Sequence, residues 1–376
     1  AAMLSSKNAT PISTDSPNSP DAMRLSYAPC NLQFRQPATT SRETMNTKLT
    51  CFLKVYDEHN PEVYGLGEAA LFPGLSPEAN EEYELKLIEL LANIALGRPT
   101  DLSRHSSIQY GLEMALRDFA GGGKRLYWPS EFTEGKESLT INGLVWMGDI
   151  DTMRRRAQEK IDAGFHCVKF KIGALNWDAE LGLITEIRKA NNDLEIRVDA
   201  NGGLPYDRAE KMLGQLADLG VESIEQPFPA RYYRETGRLC RTSPVPIALD
   251  EDLIGIYDPE ERRAMLKHVH PQLIVLKPAL CGGFNGAEDW IEAAELEGIR
   301  WWVTSALESN VGLNALAQWT ASLGEKTKSR AQGLGTGALF VENTPSPLIL
   351  EGEKLTCSPV IDNSSCPLLD KLEWRS

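Results

Sequence analysis

A chain of 376 residues can bury a sizeable core and is long enough for one large domain with a smaller companion, which excludes a single small module. Its 42% hydrophobic and 24% charged residues are ordinary for a folded globular protein and exclude a fibrous or wholly disordered one. Lys and Arg number 39 against 53 Asp and Glu, and the net charge of -14 repels phosphate backbones and anionic lipid unless a local basic patch overrides it. No such patch stands out, so nucleic acid and membrane are not expected partners.

Residues 1–22 are rich in Ser, Pro, Asn and Thr and cannot offset ordering entropy by burial, so a flexible tail is expected there. Residues 23–135 carry strand-like pieces (LTCFLKVYDE, VYGLGEAAL) and then helical ones (EEYELKLIELLANIA, QYGLEMALRDFA), which predicts an α+β domain. From 136 to 340 eight short apolar runs alternate with helix-spaced segments: SLTINGLVWM, HCVKFKIG, EIRVDANG, SIEQPF, PIALDED, LIVLKPAL, RWWVTSAL and QGLGTGALF. That alternation argues for parallel βα units closing into a (β/α) barrel, with Gly164, Gly220 and Gly298 ending helices. Residues 341–376 are expected to pack back on the first domain.

Seven scattered cysteines (Cys30, Cys51, Cys167, Cys240, Cys281, Cys357, Cys366) make no C-x-x-C pair and suit free thiols in a reducing compartment. No apolar run approaches membrane-span length and the N-terminus lacks an apolar leader core, so the cytoplasm is expected.

Chemistry in such a barrel collects at the C-terminal strand ends. The ionisable residues there are Lys169 and Lys171, then Asp199, Glu225, Asp250 and Lys277, and from Lys171 onward successive separations are 28, 26, 25 and 27 residues, about one βα unit each. Three carboxylates converging from consecutive strands repel one another, and a divalent cation resolves this. Oxygen-only ligation by Asp199, Glu225 and Asp250 suits Mg2+, with Mn2+ as a substitute, and disfavours zinc. Lys169 and Lys171 share one strand face, where neighbouring positive charge and desolvation are expected to lower an ammonium pKa and prepare a base. Lys277 approaches from the sixth strand. Two lysines flanking a metal describe abstraction of a proton α to a carboxylate.

VKFKIG, RVDANGG, IEQPF, ALDEDL, LIVLKPAL and TSALESNVGL together resemble the muconate-lactonising subgroup of the enolase superfamily, and GLGEAALFPGLS resembles its capping domain. The resemblance implies a (β/α)7β TIM-like barrel beneath an α+β capping domain built from the N-terminal segment and the C-terminal tail. It implies Asp199, Glu225 and Asp250 as metal ligands, Lys171 as acid/base and Lys277 as a charge that stabilises the enediolate. The implied reaction is syn loss of water from 2-succinyl-6-hydroxy-2,4-cyclohexadiene-1-carboxylate in menaquinone biosynthesis. An N-succinylamino acid racemase or dipeptide epimerase would use the same two lysines, but the Asp-x-Asp associated with dipeptide epimerases is absent from the last strand, GLGTGAL. A catalytically silent binding scaffold is the remote alternative; all five central residues are present against it.

Lys169 is expected either to contact substrate or to pair with a barrel carboxylate. Arg197 shares the face of Asp199 and is a candidate for steering an anionic carboxylate substrate, or for pairing with a carboxylate. Ser305 is a candidate for binding a substrate carboxylate or capping a helix. Asn201 is placed behind the metal ligands or in a turn. Residues 38–48 form a polar, loop-like segment where the family carries its substrate-covering loop. Glu251, directly after Asp250, is expected to face away and is left out of the metal set. Trp301, Trp302 and Cys281 are read as packing, and GLGTGALF lacks the Lys-Ser/Thr of a phosphate loop. A homo-oligomer is compatible with the sequence without being indicated by it.

Overall fold

The computed structural model describes residues 22–359 and 366–376; the expected flexible tail, apart from Ala22, lies outside the described residues. The chain opens with an antiparallel meander, β1 (Met23–Thr39), β2 (Thr44–Asp57) and β3 (Asn60–Ala69), in that order across the sheet. Sequence patterning marks β2 and β3 but not β1, whose alternation is interrupted by Pro29 and Pro37. An edge strand tolerates both prolines, because half its backbone N–H groups need no ladder partner. Helices α1 (Tyr83–Ala95) and α2 (Ser106–Ala120) cover the sheet. The approach of α2 to β3 is close: a Cβ at Gly67 would stand 2.1 Å from the Gly111 carbonyl oxygen, so only glycine fits.

Next come β4 (Leu139–Thr140), β5 (Gly143–Val145), α3 (Ile150–Asp162), β6 (Cys167–Lys171), α4 (Trp177–Ala190) and β7 (Glu195–Asp199). The alternation continues through α5 (Ala209–Asp218), β8 (Ser223–Glu225), α6 (Tyr233–Thr242), β9 (Ile247–Leu249), α7 (Pro259–Val269), β10 (Leu273–Leu276), α8 (Gly283–Leu296), β11 (Arg300–Val303) and α9 (Asn310–Ser322). Local chemistry sets the helix ends. The side chains of Asp149, Asn176, Asp258 and Ser309 accept backbone N–H groups at the starts of α3, α4, α7 and α9. Gly164, Gly220 and Gly298 follow α3, α5 and α8 with positive φ, as expected for helix ends.

Strands β5 to β11 form one parallel sheet in strict chain order. The eighth apolar run is not a full strand: Gln332 bridges Ile141 and Gly333 bridges Thr304, so two residues join the sheet's edges. Three glycines within 333–337 leave that segment little side-chain surface to bury. The architecture is TIM-barrel-like α/β with a separate N-terminal sheet.

After α10 (Glu325–Lys328) come β12 (Leu348–Glu351), β13 (Lys354–Cys357) and α11 (Pro367–Asp370). The C-terminal segment, expected to pack back on the first domain, divides its contacts between two sheets. The β12–β13 hairpin extends β4, while Arg375 exchanges two backbone hydrogen bonds of 2.8 Å with Tyr27 on β1.

Trp302 lies fully buried with Ala248, Leu273 and Val275, and the Arg197 guanidinium stacks 4.1 Å from its ring centroid. Burying such a side chain contributes about 3 kcal/mol and plugs the barrel floor. Trp301, one residue away, faces α8, where its indole N–H donates to Glu295 at 3.4 Å.

Two carboxylates stitch the sheet domain to the barrel. Glu68 of β3 accepts the backbone N–H groups of Ser309 and Gly312, each at 3.0 Å, and the hydroxyls of Thr50 and Ser309. Glu113 of α2 accepts those of Phe284 at 2.9 Å and Asn285 at 3.2 Å. Each thereby caps the first turn of a barrel helix, α9 or α8, from the other domain.

Candidate active site

Register places the charged residues at one height. Lys171 lies opposite Asp199 across β6 and β7, and Asp199 opposite Glu225 across β7 and β8. Asp250 directly follows β9 and Lys277 directly follows β10. In the strand order the two lysines thus flank the three strands that carry the carboxylates.

Five of the six side chains are buried at this mouth, that of Lys277 is 13% exposed, and each carboxylate is answered by a lysine. The ammonium of Lys169 donates to Glu225 at 3.1 Å, that of Lys171 to Asp199 at 2.6 Å and that of Lys277 to Asp250 at 2.6 Å. For Lys169 the pairing role therefore stands. Lys171 also donates to Asn201 Oδ1 at 3.3 Å and lies 5.6 Å from the Trp146 ring centroid.

Burial raises the Asp199 acid, but Lys171, Lys169 and Lys277 overcome it and hold the carboxyl down at about 2. Burial pushes Glu225 up to about 7, with Asp199 and Asp250 adding to the rise and Lys169 opposing it. Burial likewise raises Asp250 against the pull of Lys277. At Lys277 desolvation lowers the ammonium pKa, yet Asp250, Glu225, Glu251 and Asp199 together push it up. At this lysine the surrounding carboxylates outweigh burial.

Among the described residues no group of three His, Cys, Asp or Glu side chains is gathered at ion-holding spacing, and each of the three carboxylates is paired with a lysine. The donor set nevertheless fits a hard divalent ion. Glu225 Oε1 is buried with no hydrogen-bond partner, and its charged form, disfavoured by burial and by Asp199 and Asp250, is the form a cation would stabilise.

Three other expectations resolve differently. Arg197 does share the inward face, but two residues before the strand end puts it a layer lower. There it pairs with Glu195 and Glu222 and donates to the Ala331 carbonyl at 2.8 Å, so it belongs to the floor rather than to a substrate. Ser305 donates to Glu308 at 3.1 Å and accepts from Thr336 at 2.9 Å and the Leu307 N–H at 3.0 Å, which commits its hydroxyl inside the turn. The polar segment 38–48 is mostly strand: only residues 40–43 lie outside β1 and β2, forming a hairpin tip.

That tip docks on the mouth. Ser41 donates its hydroxyl to the Ala200 carbonyl at 2.6 Å, and Arg42 pairs with Glu251 at 2.9 Å. Glu251 does not face away, because strand alternation stops at Leu249 and residues Glu251–Leu253 form a 3-10 turn. Its carboxylate also accepts from Asn201 Nδ2 at 3.1 Å. The acidic turn after Asp250 was the signal available in the sequence; nothing there pointed to Arg42 in particular.

This arrangement defines a class. Residues 152–344 match the family described as enolase C-terminal domain-like, and the chain belongs to that family, within the enolase superfamily. Over 373 residues it is 39% identical to the o-succinylbenzoate synthase of Desulfotalea psychrophila, covering 89% of this chain and 99% of that one. The crystal structure of MenC from Desulfotalea psychrophila LSv54 matches with a TM-score of 0.74 at 36% identity, over 89% of this chain and 99% of that one. A dipeptide epimerase from Enterococcus faecalis V583, solved with Mg and L-Leu-L-Tyr, shares the fold at 18% identity with a TM-score of 0.73, over 90% of this chain and 97% of that one.

Proposed function

We propose that this chain is an o-succinylbenzoate synthase, a lyase of menaquinone biosynthesis that removes water from 2-succinyl-6-hydroxy-2,4-cyclohexadiene-1-carboxylate. The observation that carries the reading is the placement of Lys171 and Lys277 on either side of Asp199, Glu225 and Asp250 at the mouth. Identity of 39% to a synthase along nearly the whole chain supports this reaction over others on the same fold.

Asp199, Glu225 and Asp250 would hold Mg2+, with Mn2+ able to replace it, and the ion would supply positive charge against the substrate's carboxylate. Lys171, as the free amine, takes the α-proton, and the resulting ammonium returns a proton to the hydroxyl that departs as water from the same face. One proton is taken and one delivered, so Lys171 ends as it began, and aromaticity of the product favours the elimination. Lys277 remains an ammonium and stabilises the negative charge that develops on the carboxylate.

The racemase or epimerase reading needs Lys277 to exchange protons too. It gains no support from the last stave, where residues 333–340 contain no acidic side chain. The same reading takes residues 332–333 as the last strand of a (β/α)7β barrel, and places domain limits near 23–135, 136–340 and 341–376. No helix among the described residues is long and apolar enough to cross a membrane, and all seven cysteines are free, which supports a cytoplasmic site of action. A homo-oligomer is compatible with this assignment.

The test is direct. Supplied with Mg2+ and the cyclohexadiene acid, the protein should release the aromatic product, followed by absorbance. Rapid α-deuteration of N-succinyl amino acids in D2O, without dehydration of the cyclohexadiene, would overturn the choice in favour of a racemase.

A further inference from the structure

We propose that Glu251 is a positioning residue that couples the docked hairpin tip to the amine of Lys171 through the side-chain amide of Asn201. The inference rests on the function proposed above and names what seats its base.

An asparagine amide has a donating end and an accepting end, and Lys171 meets a different group depending on which end is turned toward it. Glu251 decides the matter. A carboxylate only accepts, so its Oε1, 3.1 Å from Asn201 Nδ2, holds the NH2 end toward itself and leaves Oδ1 facing Lys171 Nζ at 3.3 Å. The backbone cooperates: Asn201 has φ of 46° and donates its N–H to Asp199 Oδ1 at 3.0 Å, which fixes the stem of the side chain. Asn201 thus holds the acceptor at Lys171 only while Glu251 stays in place.

What keeps Glu251 in place comes from the other domain. Its Oε1 also accepts from Arg42 Nη1 at 2.9 Å, whereas its Oε2 is buried without a hydrogen-bond partner. Arg42 rides on the hairpin tip, and the neighbouring Ser41 anchors that tip to the Ala200 carbonyl, next to Asn201. A Cβ at Gly203 would come within 2.9 Å of Ser41 Oγ, so the barrel surface beneath the tip is shaped to receive it. Tip, carboxylate, amide and amine form one unbroken line of hydrogen bonds. Seating the tip and orienting the base are therefore one event.

The test uses the full chain with Mg2+ and the cyclohexadiene acid. Glu251→Gln, which can turn an NH2 toward Asn201, is expected to lower kcat about 10–100-fold, the range typical of residues behind a functional group, with KM changed less than threefold. Arg42→Ala should lower kcat in the same sense and Arg42→Lys should recover part of it. The double variant should lose no more than Glu251→Gln alone, because the two act in series. A second readout needs no turnover: acylation of Lys171 by a small anhydride, followed by peptide mass spectrometry, should change severalfold in Glu251→Gln and Arg42→Ala while the exposed Lys189 labels as before. Losses that multiply in the double variant, or Lys171 labelling unchanged in both single variants, would overturn the coupling. Altered labelling in a protein that dehydrates nothing would uphold the coupling and remove the function instead.

Discussion

The barrel mouth and the seam between the two domains both bury carboxylates, and they satisfy them in opposite ways. At the seam, Glu68 and Glu113 accept backbone N–H groups and hydroxyls that cannot leave without unwinding a helix turn. At the mouth, Asp199, Glu225 and Asp250 are answered by lysine ammonium groups on long, jointed stems. Main-chain donors make a permanent joint, whereas lysines can yield to a metal and a substrate without disturbing the fold. The difference separates carboxylates that hold the molecule together from carboxylates that work.

Breaking this contrast starts with its largest expected effect. Lys171→Ala should lower kcat by about 10²–10⁴-fold, the usual contribution of a general base, while Mg2+ binding measured by calorimetry persists. Near-normal turnover in that variant would refute the base assignment. Next, dialysis against a chelator should silence the protein and Mg2+ should restore it. In Glu225→Gln, the Mg2+ concentration for half-maximal turnover should rise about tenfold or more, since one of three anionic ligands is gone; an unchanged requirement would remove Glu225 from the site.

At the seam the losses should appear in stability. Glu68→Ala strands several buried donors and should cost roughly 2–4 kcal/mol in denaturant unfolding. Glu68 touches neither lysine, so the activity of the molecules that remain folded should change little. The effect that is smallest per step concerns pH. Burial pushes the Glu113 acid up to about 8 against the hydrogen bonds from Gln109, Asn285 and Phe284. A raised carboxyl keeps its proton in the fold after the unfolded chain has released it. Its contribution is thus fully present below the ordinary glutamate range and is lost as pH climbs from there toward 8, by at most about 1.4 kcal/mol per pH unit. Glu113→Gln should flatten that part of the stability profile, and an identical slope in the variant would show that another group titrates.

The mouth was legible because a βα unit repeats at nearly constant length, so residues at equal height recur at equal spacing. Lys171, Asp199, Glu225, Asp250 and Lys277 all fall at strand ends for that reason. Alternation carried the argument only as far as the strands themselves. Glu251 lies one residue into a 3-10 turn, where neighbouring side chains no longer point to opposite faces. Arg197 obeys the alternation, but facing inward does not say how deep a side chain lies, and its partners sit on the floor. β1 hid behind prolines that only an edge strand accepts, and the last stave behind glycines that leave it two bridging residues. Contacts between domains, such as Arg42 with Glu251, have no local pattern at all: 209 residues separate the pair.

The Trp302 and Arg197 stack has a consequence for the mouth. Below the charged mouth the barrel interior is filled by an indole and a guanidinium, so the amines and carboxylates are backed by a packed layer. Trp302→Gly should strip away that backing and lower stability in denaturant unfolding, while the Arg42 to Glu251 pair at the opposite, tip-covered side is left in place.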